Sequence, residues 1–105
     1  MEMKSNVATR PLTETFEHYE KRFKALADKR RLHILHEITT YGEVCVCDLA
    51  AKLELPQSKL SYHLKLLLDA NLIVKETRGT WSYYSLHNEA INHLLSEELC
   101  CLFRG

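Results

Sequence analysis

Apolar residues repeat with a helical period through most of the chain and turn strand-like in one stretch. Residues 1–12 carry no such period and contain Pro11, which reads as a loose tail before a single domain over 13–105. Thr13 or Thr15 is placed to cap a first helix with Phe16, Tyr19, Phe23, Leu26 and Ala27 on one face. Asp28 caps a second helix, in which Leu32, Ile34, Leu35 and Ile38 are apolar, ending near Tyr41 and Gly42. A short third helix over 46–53 carries Val46, Leu49, Ala50 and Leu53 at helical spacing. Pro56 breaks that pattern and Ser58 can cap a fourth helix, which runs to about residue 70 and buries Leu60, Leu64, Leu67 and Leu68. Asn71 suits the C-terminus of that helix.

The β-rich runs 72–77 and 80–86 flank Arg78-Gly79 and predict a hairpin. A last helix over about 88–103 then carries Ile91, Leu94, Leu95, Leu99 and Leu102 as one stripe. The resulting fold class is mainly α with a small β-hairpin, in the element order of a winged helix-turn-helix. A chain of 105 residues buries a modest core, so association of two copies would add stability. The stripe on the last helix and the face Phe16, Tyr19, Phe23 on the first are the expected homodimer interface.

Composition narrows the class further. The apolar share of 46% and charged share of 27% describe an ordinary globular protein. No apolar run approaches membrane-spanning length and the start lacks a secretory pattern, so a cytoplasmic location without membrane contact is expected. The formal net charge of zero argues against a nucleic-acid coat protein. Cations nevertheless collect locally, as Lys21, Arg22, Lys24, Lys29, Arg30 and Arg31, and as Lys59, Lys65, Lys75 and Arg78.

The fourth helix sets its leucines against a polar face that can bond DNA. Gln57, Ser58, Ser61, Tyr62 and His63 are the candidates for base edges in the major groove, and Lys59, Lys65 and Arg78 for phosphates. An ordinary amphipathic surface helix would look similar, but the short helix before it and the hairpin after it favour DNA reading. The other histidines sit among charges and leucines without metal-site spacing, and no phosphate loop or nucleophilic triad is visible.

Four cysteines fall in two close pairs, Cys45-Val46-Cys47 and Cys100-Cys101. In a reducing compartment they are free thiols. Cys45 and Cys47 lie at the mouth of the third helix, where the helix dipole is expected to favour thiolates. Residues two apart diverge on a helix but share a side in extended chain, so a shared ion requires Cys45 to stand outside the first turn. The plainer alternative is a pair of small buried hydrophobes. Adjacent Cys100 and Cys101 diverge by about 100° on a helix and can equally continue the apolar stripe.

The segments 23–28, 43–49 and 58–65, with Cys45-Val46-Cys47-Asp48-Leu49 at their centre, closely resemble the ArsR/SmtB family of metal-sensing repressors. The resemblance runs from about Phe16 to the C-terminus. It implies a dimer built through the first and last helices, which binds operator DNA and dissociates when thiolates bind arsenite or antimonite. A third cysteine common in the arsenic branch is replaced here by Ala50, and the N-terminal cysteines of the cadmium/lead branch are missing. The positions aligned with the zinc site of the last helix hold Asn88, Ala90, Cys101 and Arg104, which cannot form it. On this resemblance the third thiolate for arsenite comes from Cys100, Cys101 or a small-molecule thiol. The alternatives are a cadmium/lead-responsive or thiol-redox-responsive repressor of the same fold. A thiol-dependent arsenate-reducing enzyme is more remote, for lack of an oxyanion loop and a placed general base.

Overall fold

The computed structural model describes residues 12–94. Helix α1 spans Leu12–Leu26 and α2 Lys29–Tyr41, followed by the two-residue strand β1, Val44–Cys45. Helices α3 (Val46–Leu53) and α4 (Gln57–Asp69) form the helix-turn-helix. Strands β2 (Ile73–Arg78) and β3 (Trp81–Leu86) form the wing, and α5 begins at Asn88 and is described to Leu94. The expected hairpin is therefore present, but it belongs to a three-stranded antiparallel sheet of order β1-β3-β2. Two residues are too few to show a period, so β1 left no trace in the pattern.

Each helix end has a physical cause. The Asp28 carboxylate accepts from the backbone N–H of Arg30 (2.8 Å) and Arg31 (3.2 Å) and so caps α2. Helix α3 ends at Glu54, whose φ of 53° is left-handed. There the Leu55 N–H reaches Ala50 O at 3.2 Å and the Glu54 N–H reaches Ala51 O at 3.4 Å, the paired bonds of a Schellman turn. Asn71 (φ 63°) closes α4 in the same way, with Leu72 N–H on Leu67 O at 3.0 Å. Ser58 does not cap α4. Pro56 holds that position with no side-chain bond, because its fixed φ already suits a helix start. In the wing, Gly79 takes φ +63° at the first of two loop positions, as a tight hairpin requires.

The core is built from Ile34, Ile38, Leu49, Leu60, Leu64, Leu67, Leu72 and Ile73, all essentially inaccessible to water. Helix α1 is rotated from the expected face: its buried positions are Thr15, Tyr19, Arg22 and Ala25. Thr15 is thus interior to α1 rather than a cap, and Leu12 is already helical. Of the expected interface, Tyr19 and Leu94 are covered by the chain's own core, and Ile91 packs against it. Phe16, Phe23 and Leu12 remain exposed. Leu95, Leu99, Leu102, Cys100 and Cys101 lie outside the described residues.

Candidate nucleic-acid interface and thiol pair

Helix α4 has two chemically different sides. Outward lie Gln57, Ser58, Lys59, Ser61, Tyr62 and Lys65, all exposed. Lys65 is tethered loosely, its Nζ 3.0 Å from Asp69 one turn on. Because Pro56 offers no capping side chain, the first-turn amides of α4 are free to meet an anion.

His63 corrects the sequence reading. It is 6% exposed and lies inward between α4 and α2. Its Nδ1 stands 2.9 Å from Arg31 Nη1. A guanidinium only donates, so Nδ1 accepts and the ring is the neutral form protonated at Nε2. Burial lowers the imidazole pKa, helped by Arg31, Arg30 and Lys59 and opposed by Asp28. His63 is therefore a positioning contact and cannot read a base edge.

Arg31 is itself buried. Its Nε donates to Ala25 O at 2.7 Å and its Nη2 to Lys24 O at 3.4 Å, satisfying carbonyls at the end of α1. Arg22, also buried, donates from Nε to Ala70 O at 3.1 Å. Two arginines counted among the surface cations thus brace α4 against α1, one at mid-helix and one at its C-terminus.

The thiol pair sits where β1 becomes α3. Cys45 is extended (φ −77°, ψ 147°) and occupies the N-cap position, while Cys47 lies in the first turn. That change of conformation turns the two side chains together, and their Sγ atoms are 3.1 Å apart. Cys45 is buried and Cys47 exposed. The span is below twice a metal–thiolate bond of about 2.3 Å, so one soft ion can bond both sulfurs from the solvent side. The expected thiolate preference is not found at Cys47. Its pKa is raised, first by the hydrogen bond with the Cys45 sulfur, then by lost hydration and by the charges of Cys45 and Asp48. Among the described residues no group of three or more His, Cys, Asp or Glu side chains could hold a metal ion.

At the wing, Arg78 is engaged rather than free: its Nη2 lies 2.6 Å from Glu43 Oε2 and 2.8 Å from Glu76 Oε1.

The family model described as "Bacterial regulatory protein, arsR family" matches residues 28–75, from the cap of α2 into β2. The arsenical resistance operon repressor of Bacillus subtilis is 63% identical over 92 residues, covering 88% of each chain. This chain belongs to the arsR family. Its members are transcriptional regulators, which removes the enzyme alternative. Among solved structures, NolR from Sinorhizobium fredii matches 98% of the chain and 97% of its own at 29% identity, with a TM-score of 0.69. The homodimeric winged helix-turn-helix DNA-binding domain of Mb0332 from Mycobacterium bovis shares the fold, with a TM-score of 0.73 at 22% identity over 96% and 90%.

Proposed function

We propose that this arsR-family regulator is a homodimeric repressor, bound to operator DNA in the cytoplasm, that lets go when Cys45 and Cys47 capture arsenite. The observation carrying this reading is the pair of sulfurs 3.1 Å apart at the mouth of the first helix of the helix-turn-helix. The arsenical resistance repressor from Bacillus subtilis, at 63% identity, supports arsenite as the inducer. Antimonite shares its thiophilic chemistry. Gln57, Ser58, Ser61 and Tyr62 face base edges, Lys59 and Lys65 hold phosphates, and Arg78 reaches the backbone from the wing. Exposed Leu12, Phe16 and Phe23 offer α1 to a second copy, which would match a palindromic site. No described helix is long and apolar enough to cross a membrane.

Two sulfurs leave arsenite one thiolate short. Cys100 or Cys101 supplies the third, from either protomer, or a cellular thiol does. Arsenite reaches the thiol pair as As(OH)3, and each As–S bond forms as a thiol proton departs with an arsenic hydroxyl as water. Capture by Cys45 and Cys47 therefore releases water and no net proton. Release follows if arsenite prefers the DNA-incompetent form, and a hundredfold preference corresponds to about 2.7 kcal/mol. The test is an operator-binding titration against arsenite, antimonite, cadmium, lead and zinc. Cys45→Ser with Cys47→Ser should still bind operator and ignore arsenite, and Cys100→Ser with Cys101→Ser should weaken the response. A Cys45→Ser, Cys47→Ser protein that released operator at the wild-type arsenite concentration would refute the mechanism.

A further inference from the structure

Among the described residues, the strand that pairs with the wing from outside the hairpin is β1, which carries Cys45. In the ladder Cys45 stands opposite Tyr83, and Glu76 stands opposite Tyr83 from the other side. Residues directly opposite share a face of the sheet, as do residues two apart, so Cys45, Tyr83, Glu76 and Arg78 lie on one side. The guanidinium carbon of Arg78 lies 4.6 Å from the Tyr83 ring centroid, and both carboxylates bond the same nitrogen, Nη2. One of those carboxylates, Glu43, is two residues before Cys45.

Arg78, Glu43 and Glu76 together carry one net negative charge. A DNA phosphate approaching the wing is repelled by that trio unless Arg78 leaves its carboxylates. The exchange is close to balanced. Exposed ion pairs are individually weak, and a phosphate is a comparable partner for the same fork. A near-balanced contact is easily tipped by anything that moves Glu43 or Tyr83. Both are attached to Cys45, one through the chain and the other through the ladder.

We propose that Arg78 is a two-position contact, held by Glu43 and Glu76 off DNA and passed to phosphate on DNA, and that Glu43 carries thiol capture to the wing. An ion fixing Cys45 to Cys47 locks the segment that ends in Glu43, which keeps Arg78 on its carboxylates. The proposal rests on the operator-binding, arsenite-released reading above. Glu43 is a positioning residue, since it touches neither the ion nor DNA.

Glu43→Gln keeps the shape and removes the charge. Measured by operator titration at about 0.1 M salt, it should tighten arsenite-free binding about two- to fivefold, the range of an exposed ion pair. The loss of affinity on adding arsenite should shrink by a similar factor. Arsenite binding to the DNA-free protein, followed by thiolate–arsenic absorbance, should stay at the wild-type value. In an Arg78→Gln background, Glu43→Gln should change nothing further, because its effect runs only through Arg78. Wild-type operator binding and arsenite release, together with a Glu43→Gln protein identical to wild type in both, would overturn the link alone. So would a Glu43→Gln effect undiminished in the Arg78→Gln background. A wild-type protein that failed to bind operator or ignored arsenite would bring down the functional reading along with the link.

Discussion

The two sides of α4 carry polar groups for opposite reasons. Inward, His63 is paired with Arg31, which also bonds two carbonyls of α1, and Arg22 bonds the carbonyl at the C-terminus of α4. Outward, Gln57, Ser58, Lys59 and Ser61 make no side-chain hydrogen bond among the described residues. A buried polar group must be satisfied inside the protein, whereas an exposed one keeps its bonding capacity for a partner. The inner side thus sets where the helix stands and the outer side what it can hold. Substitutions inside should be read as stability, and substitutions outside as affinity.

The sharpest way to break this division is Arg31→Leu. It leaves His63 and the Ala25 carbonyl buried without their donor, and should lower unfolding free energy by about 3 kcal/mol in urea denaturation. Unchanged stability would mean that Arg31 does not brace the helix. Asp28→Ala removes the α2 cap beside the same brace and should lose about 1 kcal/mol by the same measurement. On the outer side, Lys65→Ala should keep stability within about 0.5 kcal/mol while flattening the salt dependence of operator binding by about one unit. A stability loss as large as that of Arg31→Leu would erase the contrast.

The smallest effect is a pH dependence. His63 holds its proton less tightly in the fold than the usual value of about 6.5, so the unfolded chain binds more protons between the two values. Its contribution to stability is therefore full above about pH 6.5 and is lost as pH falls through the depressed folded value. Thermal midpoints recorded from pH 7.5 to 5 should fall more for wild type than for His63→Asn, which keeps an acceptor near the Nδ1 position and does not titrate.

The helices were legible in the sequence because the leucine and isoleucine spacing that buries them is periodic. The inner polar groups were not, although part of the signal was there. His63 is three residues after Leu60 and four before Leu67, which puts it on the leucine face rather than the polar one. Arg22 and Arg31 sat in a basic run, and a run of like charges reads as a solvated surface. The partners that make burial of the two guanidiniums favourable are carbonyls left open at helix ends, at Ala25 and Lys24 for Arg31 and at Ala70 for Arg22. An open carbonyl leaves no mark in a residue pattern. The thiol pair was half legible. A shared ion requires Cys45 to stand outside the first turn, and Cys45 is extended, but the helix-dipole expectation left out the hydrogen bond with the Cys45 sulfur that raises the Cys47 pKa.

The bond from Arg22 to Ala70 spans 48 residues, and it also orders the folding of the chain. It cannot close until α4 has formed and ended, so the contact of α1 with α4 is completed late, although Arg31 of α2 can hold the carbonyls of Lys24 and Ala25 before that. Closing a loop of that length is entropically unfavourable and yields its reward only at the last step. During synthesis the N-terminal helix emerges with no carbonyl to receive its arginine and with Leu12, Phe16 and Phe23 already displayed. A chain arrested before residue 70 should therefore lack the Arg22 anchor, and in refolding a probe at Arg22 should lag behind one at Arg31.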